Sequence, residues 1–302
     1  MLNRDKTNAA LARAALIAIT VIWGSSFVIL KNTLDSISVL YLLALRFTLA
    51  ALTMTLAGIR RLRRLDARHL RAGAGLGALI FLAYVLQTYG LKDTTPGKNA
   101  FLTATYCVLT PLLMRLLFKT KLSGAQIAAA FVCLIGIGCV SLQGDFSVGL
   151  GDLLSVICGL VFALHIIVTD KVAGKTDILN LLTVQMIAAA LLSWIAAPFT
   201  RAFPAGLSPG VWGSILYLSV PCTCVCFALQ IFGQRHTPPA TAAILMTLEA
   251  VFGALFSVIF YHERMSERII VGFVLIFVAI LLSELKLNVL SRRRPQKPGR
   301  AP

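Results

Sequence analysis

Residues 178–199 read ILNLLTVQMIAAALLSWIAAPF and contain no charged side chain. A helix needs about 20 apolar residues to cross a hydrocarbon core about 30 Å thick. Inside lipid, backbone N–H and C=O groups must be satisfied within the protein, which leaves helices and closed barrels as the structures that can span it. The stretch therefore predicts a transmembrane helix.

Nine further apolar segments of similar length fill most of the chain, and the loops between them are too short to form a water-soluble domain. The composition agrees, because 58% of the residues are hydrophobic and 13% are charged, whereas soluble domains carry about 25% charged residues. We therefore predict an all-α integral membrane protein with ten transmembrane helices. The predicted spans are approximately 12–30, 37–58, 72–91, 99–118, 124–142, 150–169, 178–199, 211–233, 239–261 and 268–287.

The formal net charge of +16 is distributed unevenly across these spans. With the N-terminus in the cytoplasm, 21 Lys and Arg residues lie on the inner side and 6 on the outer side. This is the positive-inside pattern, so we expect a multi-pass protein of the cell inner membrane with both termini cytoplasmic. The basic runs 60–71 and 291–302 lack interleaved aromatic residues, which favours contact with anionic lipid over nucleic acid.

All seven cysteines fall inside the predicted spans. Cys222-Thr-Cys-Val-Cys226 resembles a metal-binding cluster, but residues i and i+2 of a regular helix point to different faces. Small packing residues are the better interpretation. We expect no metal and no cofactor.

The chain contains an internal repeat. With a shift of 143 positions, residues 84–142 align with residues 227–285 without a gap. The most informative identical pairs are Gln87/Gln230, Gly90/Gly233, Thr94/Thr237, Pro96/Pro239 and Ser123/Ser266. Polar residues, glycines and prolines in register indicate more than chance similarity between two apolar segments.

Each copy of the repeat carries five predicted spans, so the second copy must be inverted relative to the first. We expect a first five-helix repeat at 1–145, a second at 146–290 and a disordered basic cytoplasmic tail at 291–302. Inverted repeats are the architecture of many secondary transporters, whose substrate site lies near the middle of the membrane where the halves meet.

Ionisable residues inside the spans are functional candidates, since each costs about 2.5–3.5 kcal/mol at a helix centre on insertion scales. Glu249 has no cation one turn away in its own helix. It could couple proton movement to transport, or it could form a fixed ion pair with Arg46, and both interpretations remain open. His165 could titrate near neutral pH or could be a neutral imidazole bonded to a backbone carbonyl.

Several polar and aromatic residues could contact a ligand near Glu249 and His165. The amides Gln87, Gln230 and Asn99 could bind polar groups of a substrate, or they could bridge helices. Trp23 and Tyr106 offer aromatic faces to a ligand, although packing against lipid or the core is an alternative role for both. Tyr106 is the repeat equivalent of Glu249, so the two halves are not chemically identical.

The chain resembles the EamA-type transporters of the drug/metabolite transporter superfamily. The resemblance rests on Trp23-Gly-Ser-Ser-Phe27, Leu45-Arg-Phe47, Thr94-Thr-Pro96 and His262-Glu263-Arg264, and it covers nearly the whole length. It implies ten helices in two inverted five-helix repeats, a central cavity, and export or exchange of small metabolites. The chain departs from the family pattern at Ala250, where a proline often follows the glutamate, and at Thr120, where an acidic residue is usual.

The sequence therefore predicts a secondary transporter, an exporter or exchanger, that moves a small metabolite such as an amino acid by alternating access. A membrane sensor or assembly protein without transport activity is the alternative. An intramembrane enzyme is disfavoured, because the sequence lacks His-Glu-x-x-His and Gly-x-Ser-x-Gly motifs. The expected partners are a small-molecule substrate and the lipid bilayer, without nucleic acid, and a monomer is expected because ten helices can enclose a pathway alone.

Overall fold

The computed structural model describes residues 2–60, 65–142, 147–173, 177–200, 203–204, 206–237, 242 and 245–291. Eight helical stretches in this part of the chain are long and apolar enough to cross a membrane. They coincide with the first eight predicted spans and confirm the prediction of an all-α membrane protein. The helices are α1 (Leu2–Thr33), α2 (Val39–Gly58), α3 (Ala67–Asp93), α4 (Pro96–Ala104), α5 (Tyr106–Phe118), α6 (Gly124–Ser141), α7 (Leu150–Ala173), α8 (Ile178–Ala196), α9 (Pro209–Ser219), α10 (Cys226–His236), α11 (Leu248–Phe260) and α12 (Glu267–Ser291).

The last two predicted spans are described in part. Helix α11 covers the second half of the ninth span, and residues 238–241 and 243–244 lie outside the described residues. Helix α12 covers the tenth span, and its last residue is Ser291, which the sequence assigned to the tail. The remainder of the predicted tail, residues 292–302, lies outside the described residues.

Two of the predicted spans are interrupted helices. The fourth breaks at Thr105 into α4 and α5. The hydroxyl of Thr105 donates to the Leu102 carbonyl at 2.6 Å, which competes with the regular helical bond. The eighth span joins α9 to α10 through a π-helical segment, Val220–Val225, with Pro221 in its first turn.

The helices pack closely because small residues lie where they cross. A Cβ added at Gly77 of α3 would lie 2.7 Å from the Gln185 carbonyl oxygen of α8. One added at Gly136 of α6 would lie 3.0 Å from the Gly272 carbonyl oxygen of α12. Such contacts let backbones approach closely in a membrane. The large fully buried side chains include Leu42, Phe47, Leu91, Met186 and Ile215.

Pairwise contacts define the arrangement of the helices. Helix α3 packs against α7 and α8, α1 packs against α10 and α11, and α6 packs against α12. The short helix α4 lies between α7 and α11. The side chains that α2, α3, α7, α11 and the π-helical segment direct inward form the candidate site.

Candidate functional site in the bundle interior

Arg46 of α2 lies in the middle of a predicted span and is only 2% exposed. Its Nε donates to the hydroxyl of Thr223 at 3.3 Å, and its Nη2 donates to the hydroxyl of Tyr84 at 3.4 Å. The guanidinium carbon also lies 4.5 Å from the centre of the Tyr84 ring, a cation–π contact. Among the described residues, two neutral hydroxyls and one ring are therefore the partners of this buried charge.

Glu249, near the start of α11, is half-buried and lies within electrostatic range of Tyr84, Cys158 and Cys222. These groups belong to α3, α7 and the π-helical segment, so the carboxyl faces the bundle interior. Among the described residues, two ion pairs have a nitrogen–oxygen distance within 4.0 Å, namely His69–Asp66 and Lys98–Asp152. The Arg46–Glu249 ion pair that the sequence left open is therefore not formed in this conformation. We call Arg46, Tyr84, Thr223 and Glu249 the central cluster.

Aromatic rings surround the central cluster. Tyr84 contacts Phe47 edge-on at a centroid distance of 5.4 Å and Phe162 at 5.8 Å. Tyr106 lies 6.3 Å from the same Phe162. The indole of Trp23 donates to the Cys222 carbonyl at 2.7 Å, in the π-helical segment. The structure thus brings Trp23 and Tyr106, both candidates from the sequence, to the edge of the central cluster.

The predicted amide residues have different surroundings. Asn99 is fully buried, and its amide donates to the Gln87 carbonyl at 3.2 Å and to the Ser155 hydroxyl at 2.7 Å. These bonds tie α4 to α3 and α7, which is the bridging role that the sequence left open for Asn99. Among the described residues, the side-chain contact of Gln230 of α10 is a long one, 3.7 Å from its Nε2 to the sulfur of Met246.

His165 of α7 lies beside Gln185 of α8. Its Nε2 is buried without a hydrogen-bond partner in the described part of the chain, and the same holds for both amide atoms of Gln185. The carbonyl bond considered for His165 from the sequence is therefore absent at Nε2. These atoms form a second polar site between α7 and α8.

A separate set of polar contacts holds α4 at one end of the bundle. The Glu263 carboxylate, from the loop after α11, accepts from the Gly97 N–H at 3.0 Å and from the hydroxyls of Thr95 and Ser257. Asp152 of α7 pairs with Lys98 at 2.6 Å and accepts from the Thr94 hydroxyl. We call these contacts of α4 with Glu263 and Asp152 the α4 clasp.

A cavity of about 440 Å³ lies at an end of α3. It is lined by residues 34–39 of the α1–α2 connection and by Tyr89, Lys92, Thr200 and Pro204. None of the residues proposed from the sequence lines it. It is distinct from the central cluster.

The sequence profile of the EamA-like transporter family matches this chain twice, over residues 11–142 and 149–285. Together the two matches cover most of the chain. The protein belongs to the EamA-like transporter family. It is a membrane transporter.

Related proteins agree with this family membership. An uncharacterized transporter of Archaeoglobus fulgidus is 29% identical over 91% of this chain and 86% of its own length. The uncharacterized transporter YyaM of Bacillus subtilis is 27% identical over 68% of this chain and 71% of its own length. A solved crystal structure, 16% identical, superposes with a TM-score of 0.65 over 91% of this chain and 97% of that chain, which shows a shared fold.

Sequence reasoning missed two members of the central cluster of this EamA-like chain. Tyr84 lies three residues before Gln87 on α3, a spacing that places both on one helix face. The position of Gln87 could therefore have indicated Tyr84. Thr223 lies within the cysteine-rich stretch that was interpreted as packing on the assumption of a regular helix. The helix there is π-helical, and Cys222 and Cys224 approach different carbonyls, those of Ile22 and Ala50.

Proposed function

We propose that this protein is a secondary transporter of a small polar metabolite, working as an exporter or exchanger by alternating access. Ten spans would form two inverted five-helix repeats, with the substrate site at the central cluster between them. The protein would lie in the cytoplasmic membrane as a monomer with both termini in the cytoplasm. The observation that carries the proposal is the equivalence of local structure in the two halves around that cluster.

Local conformation repeats with the 143-residue shift. Lys119 and His262 are equivalent positions, and they are the non-glycine residues with positive φ in the described chain, at 54° each. Ser123 and Ser266 are also equivalent, and each accepts a bond from the N–H three residues later, at 3.2 and 3.4 Å. Chance similarity of two apolar stretches does not account for shared helix ends of this kind.

Close backbone approaches repeat as well. A Cβ added at Gly90 of α3 would lie 3.2 Å from the nitrogen of Ser155 on α7. One added at the equivalent Gly233 of α10 would lie 3.2 Å from the carbonyl oxygen of Ala12 on α1. Ser155 and Ala12 are themselves 143 residues apart. The two crossings, each between one half and the other, are therefore equivalent.

Helix contacts between the two halves occur in equivalent pairs, as expected of two symmetric halves. The contact of α3 with α7 corresponds to that of α10 with α1, and the contact of α5 with α7 corresponds to that of α11 with α1. An interface between such halves offers two similar closures at opposite membrane faces, which is the physical basis of alternating access. The family profile, which matches once in each half, supports the same division.

Glu249 is proposed to carry the coupling proton or a balancing charge. It faces the interior, lacks an ion-pair partner within 4.0 Å among the described residues, and has no acidic counterpart in the first half, where Tyr106 stands. Protonation of Glu249 would remove its negative charge and leave the positive charge of Arg46 as the charge of the central cluster while the halves rearrange.

Purified protein in sealed liposomes tests this function. Radiolabelled amino acids, sugars and organic acids are screened for protein-dependent counterflow, and the active solute is followed from pH 5.5 to 8.5. Glu249→Gln should insert normally and flatten the pH dependence of the rate, because it removes the titrating group without removing volume. Glu267→Gln, at an exposed site, is the matched control. Absence of flux for every solute contradicts the transport function, and an unchanged pH profile in Glu249→Gln removes its coupling role.

A further inference from the structure

We propose that Arg46, held by Tyr84 and Thr223, is the subsite for an anionic group of the transported solute, either a carboxylate or a phosphate. The inference rests on the proposed transport function and names the chemical class of its substrate. The protein leaves part of the hydrogen-bonding capacity of the Arg46 guanidinium unused among the described residues.

The guanidinium group of Arg46 has five N–H donors in a planar fork. Two hydrogen bonds are formed, from Nε to Thr223 at 3.3 Å and from Nη2 to Tyr84 at 3.4 Å. Charge-assisted bonds are ordinarily about 2.7–2.9 Å long, so both are weak, and both acceptors are neutral. Nη1 has no hydrogen-bond acceptor among the described residues.

Burial of a cation with so few partners is costly. Arg46 is 2% exposed, and an uncompensated charge inside a membrane protein pairs with another charge or faces water. Glu249 acts electrostatically on Tyr84 and Cys222, as Arg46 does, so the two opposite charges share an environment. They remain more than 4.0 Å apart. An anion could therefore reach the guanidinium without displacing an ion pair of the protein.

The surroundings of Arg46 fix its orientation. The Thr223 hydroxyl donates to the Leu218 carbonyl at 2.8 Å, which turns its lone pairs towards Arg46. Thr223 lies in the π-helical segment, and π-helical turns in proteins occur frequently at functional sites. The Trp23 indole holds the neighbouring Cys222 carbonyl at 2.7 Å. The segment is thus held from two sides while it positions Nε.

This arrangement favours recognition of an oxyanion. With Nε bonded to Thr223 and one N–H of Nη2 bonded to Tyr84, the second N–H of Nη2 and both N–H groups of Nη1 remain. These donors match two oxygens of a carboxylate or phosphate. The rings of Phe47 and Phe162 pack against Tyr84 and make one side of this setting apolar, and a charged contact is stronger where the local dielectric constant is low. A neutral amide lacks the second acceptor oxygen and the charge.

Matched probe pairs distinguish this subsite from a structural arginine. Detergent-purified protein is titrated with benzoate and benzamide, succinate and succinamide, and glycerol 3-phosphate and glycerol, at constant ionic strength, and thermal stabilisation is measured. At least one anion should bind about tenfold or more tightly than its neutral partner. The carboxylate and phosphate pairs separate the two sources of negative charge.

Variants then assign the preference to Arg46. Arg46→Gln should abolish the difference between anion and neutral partner, and Arg46→Lys should keep part of it, since it keeps the charge without the fork. Tyr84→Phe keeps the ring and removes the hydroxyl that orients Nη2, so it should weaken binding of the anion about threefold to tenfold. This variant provides the test if Arg46→Gln fails to insert into the membrane. The exposed Arg71→Gln should behave as wild type.

The outcomes separate this inference from the transport function. Equal binding of anion and neutral partner, or no binding of any anion, overturns the anion subsite, and flux of a neutral solute would then leave transport intact. Anion binding that depends on Arg46, without flux of any solute, supports the subsite and contradicts transport. Wild-type anion preference in Arg46→Gln also overturns the subsite.

Discussion

At the scale of single residues, Asp66 shows how one side chain organises a helix end outside the membrane-spanning segments. Its carboxylate accepts from the N–H groups of Arg68 and His69, at 3.0 and 2.9 Å, and thereby caps α3. The His69 ring lies 2.6 Å from the same oxygen through Nδ1, and its Nε2 accepts from the Asp177 N–H at 3.0 Å. One carboxylate therefore orients a histidine that joins α3 to the start of α8.

This geometry predicts a pH-dependent effect of Asp66→Ala. The His69 N–H, followed by the His69 ring, lowers the pKa of the Asp66 carboxyl below its usual value. The folded protein therefore favours the ionised carboxylate. The charge of Asp66 stabilises the folded state at pH values above the ordinary carboxyl pKa, and this contribution is lost as the pH falls through the lowered pKa of the folded state. Asp66→Ala should melt below wild type at pH 7, and the difference should shrink as the pH falls below the ordinary carboxyl pKa, because a protonated carboxyl keeps the capping oxygen and loses the charge.

Thermal unfolding in detergent at several pH values measures this effect. Asp66→Asn retains a capping oxygen without the charge and should lie between wild type and Asp66→Ala. Asp170→Ala, at an exposed position of α7, is the control for loss of an aspartate. A difference in melting temperature that grows on acidification would contradict the proposed cap.

The sequence identified Arg46 and Glu249 by the cost of charge inside a span, and the structure places both in one interior. It could not identify their partners, because those depend on the crossing of helices far apart in the chain. Thr223 lies 177 residues from Arg46. The ion pair was a reasonable alternative on charge alone, but the observed acceptors are two hydroxyls.

At the scale of elements, α4 is held in place by side chains of other elements. It is nine residues long, too short to be stable alone. The Glu263 carboxylate lies at its N-terminus, where the helix dipole and free N–H groups favour negative charge. Opening this end of the bundle would require the α4 clasp to break.

The clasp predicts that Glu263→Ala destabilises the protein and loosens this end. Glu263 is 9% exposed and accepts from Gly97, Thr95 and Ser257. Loss of bonds to a buried charged group should lower the free energy of unfolding by about 2 kcal/mol. Melting in detergent measures this, and amide exchange of α4 should accelerate selectively. The exposed Glu267→Ala is the matched control, and equal melting of the two variants would contradict the clasp.

The positions of the spans could be predicted at this scale, but their interruptions could not. Hydropathy over about 20 residues detects a span whether or not its hydrogen bonds are regular. At the break, the Thr105 hydroxyl bonds back to Leu102, but Thr20 forms the same kind of bond inside the unbroken α1, so the residue type alone does not predict the break. The π-helical segment contains Pro221, which lacks an N–H, and Thr223, whose side-chain hydroxyl donates to the Leu218 carbonyl five residues earlier.

At the scale of the whole molecule, the two ends of the bundle are chemically unequal. Under the proposed repeat, the equivalents of Glu263 and Asp152 are Thr120 and Ala9, neither of which carries a charge. The opposite end has the Asp66–His69 contact with Asp177 instead. The two closures of the transporter would therefore differ in strength although the backbone around them repeats.

Inversion of the two halves predicts opposite sidedness for equivalent residues, and single cysteines at Lys119 and His262 test it. Both residues are exposed and share a φ of 54°, so Lys119→Cys and His262→Cys should carry similar strain. The seven native cysteines are buried or half-buried, which keeps background labelling low. In intact cells, a membrane-impermeant maleimide should label only His262→Cys, since the charge distribution predicts that Lys119 lies in the cytoplasm.

Permeabilised cells provide the control for this labelling, because both cysteines should then react. Reaction of both variants in intact cells, or of neither, would place the two helix ends on one face. Two copies of one five-helix unit in the same orientation would lack the in-plane pseudo-twofold axis from which the proposed pair of similar closures follows. The same result would contradict the topology drawn from the 21 inner and 6 outer basic residues, so the experiment tests the charge argument and the repeat argument together.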